Sequence, residues 1–231
     1  MRSKRRVRCW LLAGMLWCLT ARAEAFVFIS EILADPPVGL SGDANNDGVT
    51  SSTGDEFVEL FNNGGSAVDL SGWSLHDSIN PRHVFPVNSI LSADEILVIF
   101  GGGAPLLPGI NWQVASSGGL SLNNSGDTVS LFDKDGQLVD QIVYGSEAGH
   151  DQSLARSPEG DGNQIVQHLS LPDAAGRRFS PGFFVDPPVQ TETPDSGTAA
   201  VPEPATMLSL AAGLISLGRL RKGDEKAGKG A

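Results

Sequence analysis

The chain has 231 residues, with 16 basic and 27 acidic side chains and a formal net charge of −11. Six basic residues lie in positions 1–23, and five basic with two acidic residues lie from Arg219 onward, so the span between carries five basic against 25 acidic groups, a net −20. Such a surface repels phosphate backbones, which argues against nucleic acid as a partner and favours divalent cations, although acidity also serves solubility alone.

The N-terminus reads as an export signal. Arg2, Lys4, Arg5, Arg6 and Arg8 precede a nearly all-apolar stretch, Cys9 to Leu19. Ala21-Arg22-Ala23 then supplies small residues at signal-peptidase spacing, and Ala23-Glu24-Ala25 a second such site. The apolar run is too short for an ordinary spanning helix, so residues 1–23 are expected to be a helical signal peptide. Both cysteines of the chain, Cys9 and Cys18, fall inside it. The exported remainder therefore has no disulfide to staple it. A hydrophobic core, bound metal or both must hold residues 25–185, and roughly 160 residues suffice for one core.

That region reads as β structure, because short apolar runs alternate with Gly, Asn, Asp, Ser and Pro clusters. Expected strands are Phe26–Leu33, Glu56–Phe61, Val68–Leu75, Ile96–Phe100, Trp112–Ala115, Thr128–Phe132 and Leu138–Tyr144. The last two flank Asp133-Lys134-Asp135-Gly136, whose Asp-Gly suits a tight hairpin turn. No long window has a helical period. Several strands at this spacing imply a β-sandwich of two packed sheets. Gly72, before Trp73, is expected to mark a bulge or close backbone approach.

Between the first two strands lies Asp43-x-Asn45-x-Asp47-Gly48, the spacing of an EF-hand-type calcium loop. Alternate residues of a tightly curled loop point inward with hard oxygen ligands, and the glycine permits the turn. Val49 would add its backbone carbonyl. The twelfth position, normally a bidentate acid, is Gly54, with Asp55 and Glu56 just beyond it. Asp43, Asn45, Asp47, Val49, Asp55 and Glu56 are thus the candidate calcium ligands, and an unmetallated polar turn is the alternative reading.

Catalytic signatures are lacking. His76, His83, His150 and His168 are not spaced as a helical zinc motif, and there is no Gly-x-Ser-x-Gly elbow. Gly101-Gly102-Gly103 lacks the lysine of a phosphate loop and reads as a plain turn. His150-Asp151 near Ser153 does not make a triad, because neighbours on a strand face opposite ways. Trp73 reads as core, and Trp73 or Trp112 is the candidate platform if the module binds carbohydrate.

Residues 186–200, rich in Pro, Thr, Ser and acids, read as a flexible linker. Val201-Pro202-Glu203-Pro204 follows, then an apolar stretch over 205–218 and the basic Arg219, Arg221 and Lys222. The prolines keep the segment extended, the apolar stretch suits a short membrane helix, and the basic residues would stop transfer on the cytoplasmic side. This resembles a PEP-CTERM sorting signal. The resemblance implies an exosortase-type sorting protease as partner, a Gram-negative-type envelope, transient anchoring in the inner membrane, and release to the surface or outside.

The folded region also resembles a known family. Ile29-Ser30-Glu31-Ile32, Asp55-Glu56-Phe57-Val58-Glu59-Leu60-Phe61-Asn62, Val68-Asp69-Leu70-Ser71-Gly72-Trp73, Gly126-Asp127-Thr128-Val129, Ser153-Leu154-Ala155-Arg156 and Phe179-Ser180-Pro181-Gly182 stand in the order of a bacterial lamin-tail domain. That resemblance implies an immunoglobulin-like β-sandwich and no catalysis. The expected protein is an exported, calcium-stabilised structural or adhesive module, with envelope or exopolysaccharide components among its partners. A carbohydrate-binding accessory module and a hydrolase with an unrecognised acidic site are the alternatives.

Overall fold

Every residue of the first strand is buried, which a strand achieves only when its sheet is covered on both faces. The computed structural model describes residues 26–160 and 162–185. Among them the strands are β1 (Val27–Leu33), β2 (Phe57–Asn62), β3 (Val68–Asp69), β4 (Ser74–His76), β5 (Pro81–Val84), β6 (Ile90–Leu91), β7 (Ile96–Phe100), β8 (Asn111–Val114), β9 (Asp127–Phe132), β10 (Leu138–Tyr144), β11 (Leu154–Ser157) and β12 (Gln164–Gln167). The helical elements among the described residues are three-residue 3-10 turns, such as His168–Ser170.

One sheet has six strands in the order β12-β11-β1-β2-β7-β8, and a second has four, β10-β9-β4-β5. The two-stranded β3-β6 sheet is separate. Within the six-stranded sheet only β7 and β8 run parallel. Between the large sheets lies the main core, where Ile29, Ile32, Val58, Leu60, Leu97 and Ile99 meet Leu75, Val129, Leu131 and Ile142. This is the sandwich expected from the alternation of apolar residues.

The opposite face of the six-stranded sheet is also covered. Leu33, Phe57, Val98 and Phe100 form a second apolar cluster with Phe179 and Ile110 against it. Ala155, Leu171 and Ala174 form a third, with Val185 packed on it. Residues 168–185 therefore cross this outer face as a strap, and Phe184 meets Phe61 edge to face at 4.9 Å. The strap explains why β1 is buried throughout.

Two expectations need correction. The single strand expected over Val68–Leu75 is two, β3 and β4, because the chain turns at Leu70–Trp73, where Gly72 has φ 78° and Trp73 N–H donates to Leu70 O. Gly72 is thus in a turn and not in a bulge. Four strands had no prior signal: β5, β6, β11 and β12. The expected signal peptide and short membrane helix lie outside the described residues, and no helix among the described residues is long and apolar enough to cross a membrane.

Candidate functional site

The acidic loop is curled around its own carboxylates. Asp43 accepts N–H bonds from Asp47 at 3.1 Å on Oδ1 and from Gly48 at 3.0 Å on Oδ2. Asn45 Oδ1 accepts from Asp47 N–H at 3.0 Å, and Asp47 Oδ1 accepts from Val49 N–H at 2.8 Å. Asp55 closes the loop from its far end, accepting from Asn45 N–H at 3.2 Å and Ser51 N–H at 2.7 Å. Gly48 sits at φ 85°, a conformation that costs glycine little. Asp43, Asn45, Asp47 and Asp55 are thereby brought to one loop, and exposed Val49 lies on its rim.

Glu56 is not brought there. Its Oε2 accepts from Leu122 N–H at 3.3 Å. Burial there pushes its carboxyl up to about 7. The chain leaves a bend at Asp55, whose carboxylate stays on the loop, and Glu56 turns instead toward Leu122 as β2 begins.

The loop rests on the glycine turn after β7, so Gly101-Gly102-Gly103 is more than a plain turn. Ala104 N–H donates to Asp47 Oδ2 at 2.9 Å, and Asn45 Nδ2 donates to Gly102 O at 3.2 Å. A Cβ at Gly103 would lie 2.4 Å from both Asn45 Nδ2 and Asp47 Oδ2, and one at Gly101 would lie 2.0 Å from Thr53 O. The available signal was three consecutive glycines directly after an apolar strand. The Ala104 bond, followed by that from Val49, holds the Asp47 carboxyl below its usual range. Burial raises that of Asp55, and the nearby charge of Asp43 adds to the rise.

A second group of acids is buried beneath the strap. Glu31 and Glu59 are register partners on β1 and β2. A register shift between Ile29 and Glu31 turns Ser30 and Glu31 together toward Glu59, as an inserted bulge residue does. Ser30 Oγ donates to Glu59 Oε1 at 2.7 Å, and Ser153 Oγ donates to Glu31 Oε1 at 2.5 Å. From the strap, Ser180 N–H and Oγ each reach a Glu31 oxygen at 3.0 Å, and Gly182 N–H reaches Glu59 Oε2 at 2.8 Å. Val185 N–H donates to Glu159 Oε2 at 2.6 Å. Burial pushes the Glu31 carboxyl up to about 7. Glu59 is raised well above the ordinary range by burial and then by the charge of Glu31.

His168 joins this group. Its Nδ1 lies 2.8 Å from Arg177 O, so Nδ1 carries the proton, because a carbonyl oxygen only accepts. Its Nε2 lies 2.9 Å from Ser180 Oγ and 4.0 Å from Glu31 Oε1. One donor atom each from Glu31, Glu159 and His168 lies within 4.8 Å of the other two. The sequence carries no signal for this group, since Glu31, Glu159 and His168 have no motif spacing.

Of the candidate tryptophans, Trp73 is half-buried against the main core, whereas Trp112 is 38 % exposed on the edge strand β8. The sorting residues Val201, Pro202, Glu203 and Pro204 and the basic Arg219, Arg221 and Lys222 lie outside the described residues.

Residues 20–146 match the Lamin Tail Domain family. Residues 200–222 match the PEP-CTERM protein-sorting motif. No curated protein matches the chain. The first match ends before β11, β12 and the strap, so Glu159, His168 and Ser180 are supplied from beyond it. It spans more than half of the 231 residues and includes the acidic loop and both register-paired glutamates. With the all-β sandwich and these matched residues, the chain belongs to the lamin tail domain family.

Proposed function

We propose that this protein is a non-catalytic module of the cell surface or extracellular matrix, stabilised by calcium at the acidic loop and acting in structure or adhesion. The observation that carries the reading is the combination on one chain of a lamin tail domain and a terminal PEP-CTERM motif. That motif is of the kind an exosortase recognises. The chain would be held in the inner membrane by residues 205–218, stopped by Arg219, Arg221 and Lys222, and then cut near Val201-Pro202-Glu203-Pro204.

The calcium reading is supported by the donor set. Asp43, Asn45, Asp47 and Asp55 are oxygen donors on a loop pinned by its own backbone N–H groups, and calcium takes oxygen donors in such flexible sets. An exported domain without a disulfide gains most from an ion that binds only the folded form. The −20 charge of the span between signal and tail favours cation-bridged contacts with envelope or exopolysaccharide components.

Replacing Pro202, Glu203 and Pro204 with alanine tests the sorting half of the proposal. The native chain is expected in the released or surface fraction without its tail, and the variant in the inner membrane with its tail intact. A mature surface form that keeps residues 205–231 contradicts it.

One observation favours carbohydrate binding as a second reading. Trp112 exposes an indole on an edge strand, the kind of apolar face on which sugar rings stack. Retention on soluble glycans that is lost in Trp112→Ala supports that reading.

A further inference from the structure

We propose that Glu31, Glu159 and His168 form a structural metal site under the strap, and that it takes a divalent transition-metal ion of the zinc type. This inference does not rest on the calcium loop, which lies elsewhere on the chain and has only oxygen donors.

Geometry carries it first. In a tetrahedral site, donors at about 2.0–2.1 Å from zinc stand about 3.4 Å apart. His168 Nε2 and Glu31 Oε1 are 4.0 Å apart, and all three donors lie within 4.8 Å of one another. The three side chains would draw in around the ion. Ser180 Oγ, 2.9 Å from Nε2 and 3.0 Å from Glu31 Oε2, bridges these two donors and would turn aside for the ion, with water as the fourth ligand.

The second observation is the imidazole's anchoring. Nδ1–H is committed to the Arg177 carbonyl, outside the acid group, and this directs Nε2 at the carboxylates. Metal-binding histidines are held in this way, with the distal N–H on a carbonyl or carboxylate fixing tautomer and ring plane.

Charge is the third. Glu31 and Glu59 oppose each other in register with almost no exposure, and like charges so placed destabilise a sheet. Their hydrogen bonds come from serines and backbone N–H groups. Arg82 and Arg156 are committed to Asp77 and Asp140, while on the strap Arg177 lies over the Phe183 ring and Arg178 donates to Asp151 O. A divalent ion held by Glu31 and Glu159 would offset the acid charge gathered there.

The donor types select the ion. Calcium takes oxygen ligands in sixes to eights, whereas one imidazole with two carboxylates is a nitrogen–oxygen set of the zinc kind. Glu31, Glu159 and His168 are all buried, so no substrate reaches the ion and its role is to hold the fold. It would join β1, inside the family match, to the turn after β11 and the start of the strap, outside it.

The test is metal analysis of the purified full chain, grown with zinc and manganese and dialysed without chelator. Elemental analysis is expected to find about one zinc ion per chain, and zinc K-edge absorption to show one nitrogen with oxygen ligands. His168→Gln and Glu159→Gln should each lose the ion. If His168→Gln does not fold, the Glu159→Gln result and the native absorption spectrum still decide. A natively folded chain that holds zinc far below one equivalent, even with zinc added, overturns the proposal and leaves protons as the neutralising charge. So does a zinc spectrum without a nitrogen ligand.

Discussion

Ser180 holds Glu31 with both of its polar groups, the backbone N–H on Oε1 and the hydroxyl on Oε2, each at 3.0 Å across 149 positions of chain. Both residues are buried. This contact fastens the strap to the first strand. Ser180→Ala removes the hydroxyl that bridges His168 Nε2 and Glu31 Oε2 and leaves a buried polar group there without its partner, which costs about 1–3 kcal/mol. Urea denaturation measures it. A loss within 0.5 kcal/mol, about the scatter of ordinary surface substitutions, would mean that apolar contacts alone fasten the strap.

Arg156 links the two large sheets. From β11 it bonds Asp140 of β10 through both carboxylate oxygens, at 3.0 and 2.8 Å, and Ile29 O of β1 at 2.7 Å. Ile29 N–H closes the circuit on Asp140 Oδ2 at 2.7 Å. Arg156→Lys is expected to cost about 1–3 kcal/mol, because a single ammonium cannot reproduce the planar fork and buried acceptors are left unmet. A substitution as mild as at an exposed ion pair, below about 1 kcal/mol, counts against that linking role.

Two glycines at the loop and one elsewhere give a contrast. A Cβ at Gly101 meets the Thr53 carbonyl at 2.0 Å and one at Gly103 meets Asn45 and Asp47 at 2.4 Å, whereas one at Gly109, also at positive φ, meets nothing within 4 Å. Gly109→Ala should cost only the left-handed penalty of about 1–2 kcal/mol. Gly101→Ala and Gly103→Ala should cost clearly more, and should weaken calcium stabilisation as well. Equal melting temperatures for Gly109→Ala and Gly103→Ala would refute the close packing of the turn on the loop.

His83 supplies the pH dependence. Its Nδ1 accepts Ser116 N–H at 3.2 Å and its Nε2 is 2.8 Å from Gln113 Oε1, so the folded ring is neutral with the proton on Nε2. Burial lowers its pKa from the ordinary 6.5. The folded value is the depressed one, so the unfolded chain takes up the proton first. This contribution is present above pH 6.5 and is lost as pH falls toward the folded value. Nitrogen-15 NMR of the ring is expected to show the Nε2–H tautomer at pH 7 and a midpoint below 6.5. A midpoint at or above the ordinary value contradicts the assignment.

The strands that were legible in the sequence are those with dense apolar content. Ile96–Phe100 and Leu138–Tyr144 have the limits expected from their residues, and the Asp133–Gly136 turn joins β9 to β10 with Gly136 at φ 75°. What stayed hidden was sparse in such signal. β5 opens on Pro81, which an edge strand tolerates. β12 has only Ile165 and Val166 between two glutamines. The acidic loop was readable because its ligand types repeat at short spacing. Glu31, Glu159 and His168 were not, since a bulge in β1, a turn after β11 and the strap bring them together from distant positions.

The most direct test of the central claim is a thermal melt of residues 24–200 in EDTA, after calcium add-back and after zinc add-back. Calcium is expected to raise the melting temperature through the acidic loop, whereas any gain on zinc add-back belongs to the site under the strap and should survive Asp43→Ala with Asp47→Ala. At a hundredfold excess of calcium over its dissociation constant the calcium gain is about 2.7 kcal/mol, and Asp43→Ala with Asp47→Ala should remove it. A melt that does not change across millimolar calcium would contradict the claim and leave the acidic loop as a polar turn held by its own hydrogen bonds.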